Sequence, residues 1–197
     1  MATHPALMVR SVDALNDQQA TVVCGCGGGQ AVRHALPRML STAARLVLDA
    51  DALNAIAQDS QLMHLLQQRT KRQLATVLTP HPLEAARLLQ CSTEEVQAHR
   101  LNKARQLADA TGCVVVLKGS GTVVAHPAHT PVINHSGNAK LATAGTGDVL
   151  AGWIGALLHT STNGFEAACR AVSLHGAIAD HWPHTRSLIA SEMLAHI

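Results

Sequence analysis

At 197 residues the chain is of one-domain size and long enough to bury a substantial core. Charged residues make up 14%, against roughly 25% in an average soluble protein, and with 47% apolar residues and a mean hydropathy of +0.12 this excludes intrinsic disorder. A net charge of +2 supplies no basic stripe for a phosphate backbone, and Trp153, Phe165 and Trp182, the whole aromatic complement, build no stacking platform, which excludes nucleic-acid readout.

Short apolar runs alternate with amphipathic stretches along the chain. Strands are predicted at Ala20–Cys24, Arg45–Asp49, Gln73–Thr79, Cys113–Lys118 and Thr122–Ala125. Helices are predicted over 30–44, 51–68, 83–90 and 93–111, the last opened by Ser92 and Glu95 as a capping box. LVLD, ATVLT and VVVLK are continuously apolar rather than alternating, the pattern of a parallel sheet covered on both faces. From residue 146 onward the pattern is helical, over 148–160, 164–182 and 187–196. The alternation predicts an α/β sandwich with helices on both faces and a helical C-terminal third. Leu141–Leu158 is the most apolar stretch, but Asp148 and four glycines inside it exclude a membrane span. Cys24, Cys26, Cys91, Cys113 and Cys169 are an odd number in a chain too large to need stapling, which points to a reducing cytoplasm. Cys24-x-Cys26 lacks the spacing and the second ligand pair of a zinc site. The pairs His126/His129 and His181/His184 have no acidic companion and read as solvated loop residues.

Ligands of open α/β sheets bind beyond the carboxyl ends of the strands, so the residues after each strand are the candidates. Gly25-Cys26-Gly27-Gly28-Gly29, followed by a helix and by Asp49, is close to a dinucleotide fingerprint with Gln30 in place of the third glycine. A tight strand-to-helix turn explains the same glycines. In Asp49-Ala50-Asp51 one acid is expected to cap the next helix, leaving the other for a cation or a water. Thr79-Pro80-His81-Pro82 holds His81 in a rigid backbone, as a ligand-facing residue or as an ordinary loop residue. Lys118-Gly119-Ser120-Gly121-Thr122 is a glycine turn able to face phosphates with Lys, Thr and backbone N–H groups, or else a hairpin turn with a solvated Lys.

The strongest candidate is the stretch from Asn138 to Asp148. Behind Gly145-Thr146-Gly147, the residues Val149, Leu150, Trp153, Ile154, Leu157 and Leu158 mark a helix with one buried face, so its unpaired N–H groups and positive dipole end form an anion hole. Asp148 falls in the first turn, either as a partner of the helix dipole or as a carboxylate that takes the proton from a hydroxyl attacking a phosphoryl group. The motif G-x-x-x-x-G-K-[ST] does not occur, which excludes a P-loop kinase.

Taken in order, GCGGG, LVLDADALN, TPHPLEA, VVVLKGSGTVVA and GNAKLATAGTGDVLAGWIGALL resemble the ADP-dependent NAD(P)H-hydrate dehydratases, relatives of the ribokinase-like vitamin kinases, from Ala20 to the C-terminus. The resemblance implies a ribokinase-like three-layer α/β/α sandwich with a mostly parallel sheet. It implies an enzyme that uses ADP to return the S form of hydrated NADH or NADPH to the intact coenzyme, releasing AMP and phosphate. Gly27, His81 and Asp148 would then lie against the hydrated nicotinamide nucleotide. Lys118, Gly119, Ser120, Gly121 and Thr122, with Gly145, Thr146 and Gly147, would hold the ADP and its transferring charge. Asp148 would be the catalytic residue, and Mg²⁺ is the expected companion of the diphosphate, its ligands unassigned.

The leading segment usual in that family, with its own glycine-turn strand, does not occur in this sequence. The chain is therefore expected to be a single ribokinase-like domain over 1–197 lacking the family's first strands. An open sheet edge would make it less stable than a longer version, or homo-oligomeric. Two rival readings remain: an ATP-dependent kinase of a small hydroxymethyl substrate, and a catalytically silent binding subunit. TPHP and the KGSGT turn favour the dehydratase.

Overall fold

A computed structural model describes residues 8–9, 11–183 and 185–196. Six strands, β1 (Thr21–Cys24), β2 (Arg45–Leu48), β3 (Thr76–Leu78), β4 (Val114–Leu117), β5 (Val123–His126) and β6 (His129–Ile133), form one sheet in sequential order among the described residues. β1 to β4 are parallel, and β5 and β6 add antiparallel hairpins. The helices are α1 (Val32–Thr42), α2 (Ala50–Gln58), α3 (Ser60–Lys71), α4 (Pro82–Leu89), α5 (Thr93–Ala98), α6 (Arg100–Thr111), α7 (Thr146–Thr160), α8 (Gly164–His181) and α9 (Ala190–Met193).

Successive side chains of a strand face opposite sides, and both sides here are covered, which is why the strand sequences are continuously apolar. Leu46, Leu48, Leu78, Val115 and Leu117 pack with Leu36, Leu53 and Leu107 from α1, α2 and α6. On the other side Val47, Val77, Val114, Val116 and Val124 meet Leu150 and Ile154 of α7 and Ala168 and Val172 of α8. α7 lies close against the sheet at Gly155, where a Cβ would fall 2.6 Å from Val23 Cγ2. The result is the three-layer sandwich that the sequence predicts. β1 is an edge of the sheet, with Val23 38% exposed.

Several boundaries differ from expectation. The single helix expected over 51–68 is two, because Asp59 adopts an extended backbone and its side chain accepts the N–H groups of Gln61 and Leu62, capping α3. The helix expected over 93–111 breaks at His99. Only half of the capping box at Ser92 forms: its Oγ accepts the Glu95 N–H at 3.1 Å, while the Glu95 carboxylate pairs with Lys103. His126 and His129 are not loop residues but face each other across the β5–β6 hairpin, with the His129 ring stacked on Phe165 at 4.4 Å. β6 has no strand signal in the sequence because HTPVI carries a proline and little apolar content, the make-up of an edge strand. His181 closes α8, its Nδ1 bonded to the Ala177 carbonyl, and His184 lies outside the described residues. Among the described residues no helix is long and apolar enough to cross a membrane, and the five cysteines are free thiols.

Candidate active site

Parallel pairing in the register Cys24–Leu48, Leu48–Leu78 and Leu78–Val115 brings the carboxyl ends of β1 to β4 to one end of the sheet. After β1 the chain turns at Gly25, whose φ is +120° and where a Cβ would fall 1.9 Å from the Asp49 carbonyl oxygen. Only glycine fits there. Asp51 ties this turn to α2 by accepting the Gly29 N–H at 2.8 Å. After β2, Asp49 occupies the N-cap position of α2, but its side chain does not cap the helix. It is 1% exposed, and its Oδ1 accepts the Lys118 ammonium at 2.6 Å and the Thr79 hydroxyl at 2.7 Å. Lys118 is accordingly no solvated hairpin lysine: it crosses from the end of β4 to neutralise a buried carboxylate, while its backbone N–H donates to the Pro80 carbonyl.

His81 is held as rigidly as its prolines suggest, and the structure explains by what. It is the N-cap of α4, with Nδ1 accepting the N–H groups of Leu83 and Glu84, while the Glu84 carboxylate accepts the His81 N–H at 2.7 Å. Its Nε2 lies 3.2 Å from Glu84 Oε1, so both ring nitrogens are engaged locally. Burial pushes the Glu84 carboxyl above its ordinary value.

The turn Lys118–Thr122 and the first residues of α7, Thr146 and Gly147, line a common cavity of about 750 Å³. Gly145 precedes it as the N-cap of α7, with φ +85°. The far wall is the loop 134–139. Asp180 clamps that loop by accepting the Gly137 N–H and an Asn138 amide N–H. The bare Gly176 lets the loop approach α8, since a Cβ there would lie 2.2 Å from Ser136 Oγ. Asp148 and Gly27 lie outside this wall. The Asp148 carboxylate is exposed and forms a group with the Cys26 thiol and Asp49, their potential ligand atoms all within 4.8 Å of one another. Burial, then the two neighbouring carboxylates, pushes the Cys26 thiol up to about 12, so it stays protonated and is no nucleophile.

Sequence reading missed His175. It sits on the buried face of α8, lines the cavity, and its Nε2 meets the Thr146 carbonyl oxygen at 2.9 Å, fixing the first turn of α7. The signal that could have found it is a titratable residue in the apolar stripe Ala168, Ala171, Val172 and Ala179. Burial lowers its pKa below the ordinary 6.5, with the nearby Lys118 charge acting the same way. The unfolded chain therefore takes up a proton that the folded chain resists, and stability is expected to fall as pH drops below about 6.5. His126, lowered by burial, acts in the same direction. Urea unfolding at pH 7 and near pH 5.5 should show a smaller loss for His175→Gln than for the parent; equal losses would remove His175 from the effect.

The family model described as NAD(P)H-hydrate dehydratase matches residues 1–197. The chain belongs to this family. It is 46% identical over 186 residues to the ADP-dependent (S)-NAD(P)H-hydrate dehydratase of Neisseria meningitidis serogroup B, covering 91% of this chain and 62% of that one. A solved ADP/ATP-dependent NAD(P)H-hydrate dehydratase from Bacillus subtilis, co-crystallised with ATP and Mg²⁺ and soaked with CoA, superposes with a TM-score of 0.66 at 30% identity, over 83% of this chain and 58% of that one. A ribokinase-like superfamily protein from Enterococcus faecalis superposes with a TM-score of 0.67 at 26% identity, over 83% and 55%. The chain thus spans about three fifths of the length of the Neisseria relative.

The Bacillus subtilis relative was crystallised with Mg²⁺, and the group of Cys26, Asp49 and Asp148 can be judged against that ion. Cys26 is a soft ligand unsuited to it, and Asp49 already spends Oδ1 on Lys118 and Thr79. What remains is the Asp148 carboxylate and Asp49 Oδ2. One or two carboxylate oxygens fit a Mg²⁺ that keeps waters and rides on substrate phosphates.

Proposed function

We propose that this chain carries the ADP-dependent dehydration of (S)-NAD(P)H hydrate, regenerating NAD(P)H and releasing AMP and phosphate. The observation that carries the reading is the common cavity, in which the KGSGT turn faces the first turn of α7; its volume of about 750 Å³ suits a nucleotide. The name of the Neisseria relative supplies the reaction.

In this reading the turn Lys118–Thr122 holds the adenine nucleotide, and the Gly147 N–H with the positive end of α7, entered through Gly145 and Thr146, faces the transferring phosphoryl group. The hydroxyl of the hydrated ring is a poor leaving group until it carries a phosphate. It attacks the β-phosphate of ADP, Asp148 takes its proton, and AMP departs. Phosphate then leaves the ring carbon while the neighbouring ring carbon gives up a proton to water, and this elimination restores the dihydropyridine. A bound Mg²⁺ would neutralise diphosphate charge, with Asp148 and Asp49 Oδ2 in reach of it. The turn through Gly27, where an added Cβ would meet nothing within 4 Å, offers open backbone to the hydrated nicotinamide nucleotide. His81 contributes a ring about half exposed, oriented by its cap. The free thiols support a cytoplasmic setting, and the side of β1 left unpaired among the described residues supports self-association.

The test is an assay of hydrated NADH with ADP, followed at the nicotinamide absorbance. ADP is expected to restore that absorbance with one AMP and one phosphate released per coenzyme, and ATP is expected to do so more slowly. A phosphorylated product that accumulates with ATP, without recovery of absorbance, would instead support the kinase reading. No recovery with either nucleotide would sink the dehydratase reading for this chain.

A further inference from the structure

We infer that Arg100, the first residue of α6, is the positioning residue that aims the backbone of the KGSGT turn at the nucleotide. The inference rests on the nucleotide reading of that cavity. The guanidinium reaches behind the turn, and its Nη2 donates to the carbonyl oxygens of Leu117 at 3.1 Å, Lys118 at 3.2 Å and Gly121 at 3.4 Å. Nη1 is anchored on Gln97 Oε1 at 2.9 Å. One side chain thus gathers three carbonyls of a single turn.

The consequence follows from peptide geometry. In a planar trans peptide the C=O and the following N–H point in opposite directions. Drawing the Lys118 and Gly121 carbonyls onto Arg100 therefore directs the N–H groups of Gly119 and Thr122 away from it. Among the described residues the Gly119 N–H donates to no backbone or side-chain acceptor of the protein, and both Gly119 and Thr122 line the cavity. Oriented, unpaired N–H groups of this kind make an anion-binding concavity. A turn whose carbonyls pointed into the cavity would repel a phosphate.

Gly119 completes the arrangement. Its φ of +133° disfavours any side chain, and a Cβ there would lie 3.0 Å from Arg100 Nη1 and 3.2 Å from Nη2. The guanidinium thus rests on bare backbone. Lysine carries the charge but not the planar fork that serves Gln97 and three carbonyls together, so Arg100→Lys should only partly replace it.

The experiment compares the parent, Arg100→Lys and Arg100→Ala, each checked for folding by circular dichroism. It reads ADP binding by calorimetry, KM and kcat separately, and the ¹⁵N amide signals of Gly119 and Thr122. Arg100→Ala is expected to weaken ADP by about tenfold or more, the scale of a charge-assisted hydrogen bond lost. KM for ADP should rise while KM for the hydrated coenzyme and kcat change little, both amide signals should move, and added ethylguanidinium should restore part of the affinity. Arg100→Lys should fall between parent and Ala, and if the Ala variant does not fold it decides the question alone. Unchanged ADP binding with unmoved amide signals would overturn the inference. A parent that binds no ADP would overturn the nucleotide reading instead, and the amide signals would then decide the role of Arg100 by themselves.

Discussion

Replacing Asp148 by Asn is expected to lower turnover roughly 10²–10⁴-fold, the range of a general base, while the KM for the hydrated coenzyme changes little. Asn keeps the volume but cannot accept the hydroxyl proton. Stability should barely respond. The carboxylate is exposed in the first turn of α7, where its favourable interaction with the helix dipole is worth about 0.3–1 kcal/mol. Removing it also relieves its repulsion with Asp49, which lies in the same group. The helix keeps its place because Leu150, Ile154 and Leu158 are buried against the sheet. Turnover and melting temperature measured on one variant separate the two roles: turnover within threefold of the parent would take Asp148 out of the mechanism.

Lys118→Met should cost stability as well as nucleotide binding, because of what it leaves behind. Asp49 is 1% exposed and would keep only the Thr79 hydroxyl and the Cys26 thiol as donors. Breaking a buried ion pair by removing one partner costs about 3–5 kcal/mol, and the Lys118 side chain retains some contact with solvent, which places the expected loss near the lower end. The second substitution, Asp49→Asn, removes the stranded charge. The double variant Lys118→Met/Asp49→Asn should therefore recover much of the lost stability while nucleotide affinity stays low, since the ammonium at the edge of the cavity is still missing. Denaturant unfolding of the parent, the single and the double variants reads this directly. If the double variant is no more stable than Lys118→Met, the carboxylate was not stranded and the pair does not have the weight assigned to it.

The same pair shows where sequence reading stopped. LVLD and VVVLK announce buried parallel strands by themselves, because a strand covered on both faces has no polar alternation. Neither says that the aspartate ending one and the lysine ending the other will meet. That contact spans 69 positions and exists because β3 alone separates β2 from β4 and all three run parallel. Local chemistry is legible less evenly. The glycine turn at Gly25 and the amphipathic stripe of α7 are legible, whereas the cap at Asp59 is hidden inside a longer apolar pattern. His81 was legible as rigid, yet its capping of α4 appears only when Glu84 turns back onto its N–H.

From the sequence alone came the α/β alternation, the strand ends as the place for chemistry, the KGSGT and GTGD turns, and a motif order resembling one dehydratase family. These depend on periodicity and on conformations special to glycine and proline, which neighbours within a few residues determine. Tertiary structure alone decided that the KGSGT turn and the start of α7 share a cavity. It also decided that Asp148 keeps company with Cys26 and Asp49, that His175 braces Thr146, and that Arg100 sits behind the turn. Each of these joins segments distant in the chain, and strand order and register bring such segments together while no local pattern encodes them.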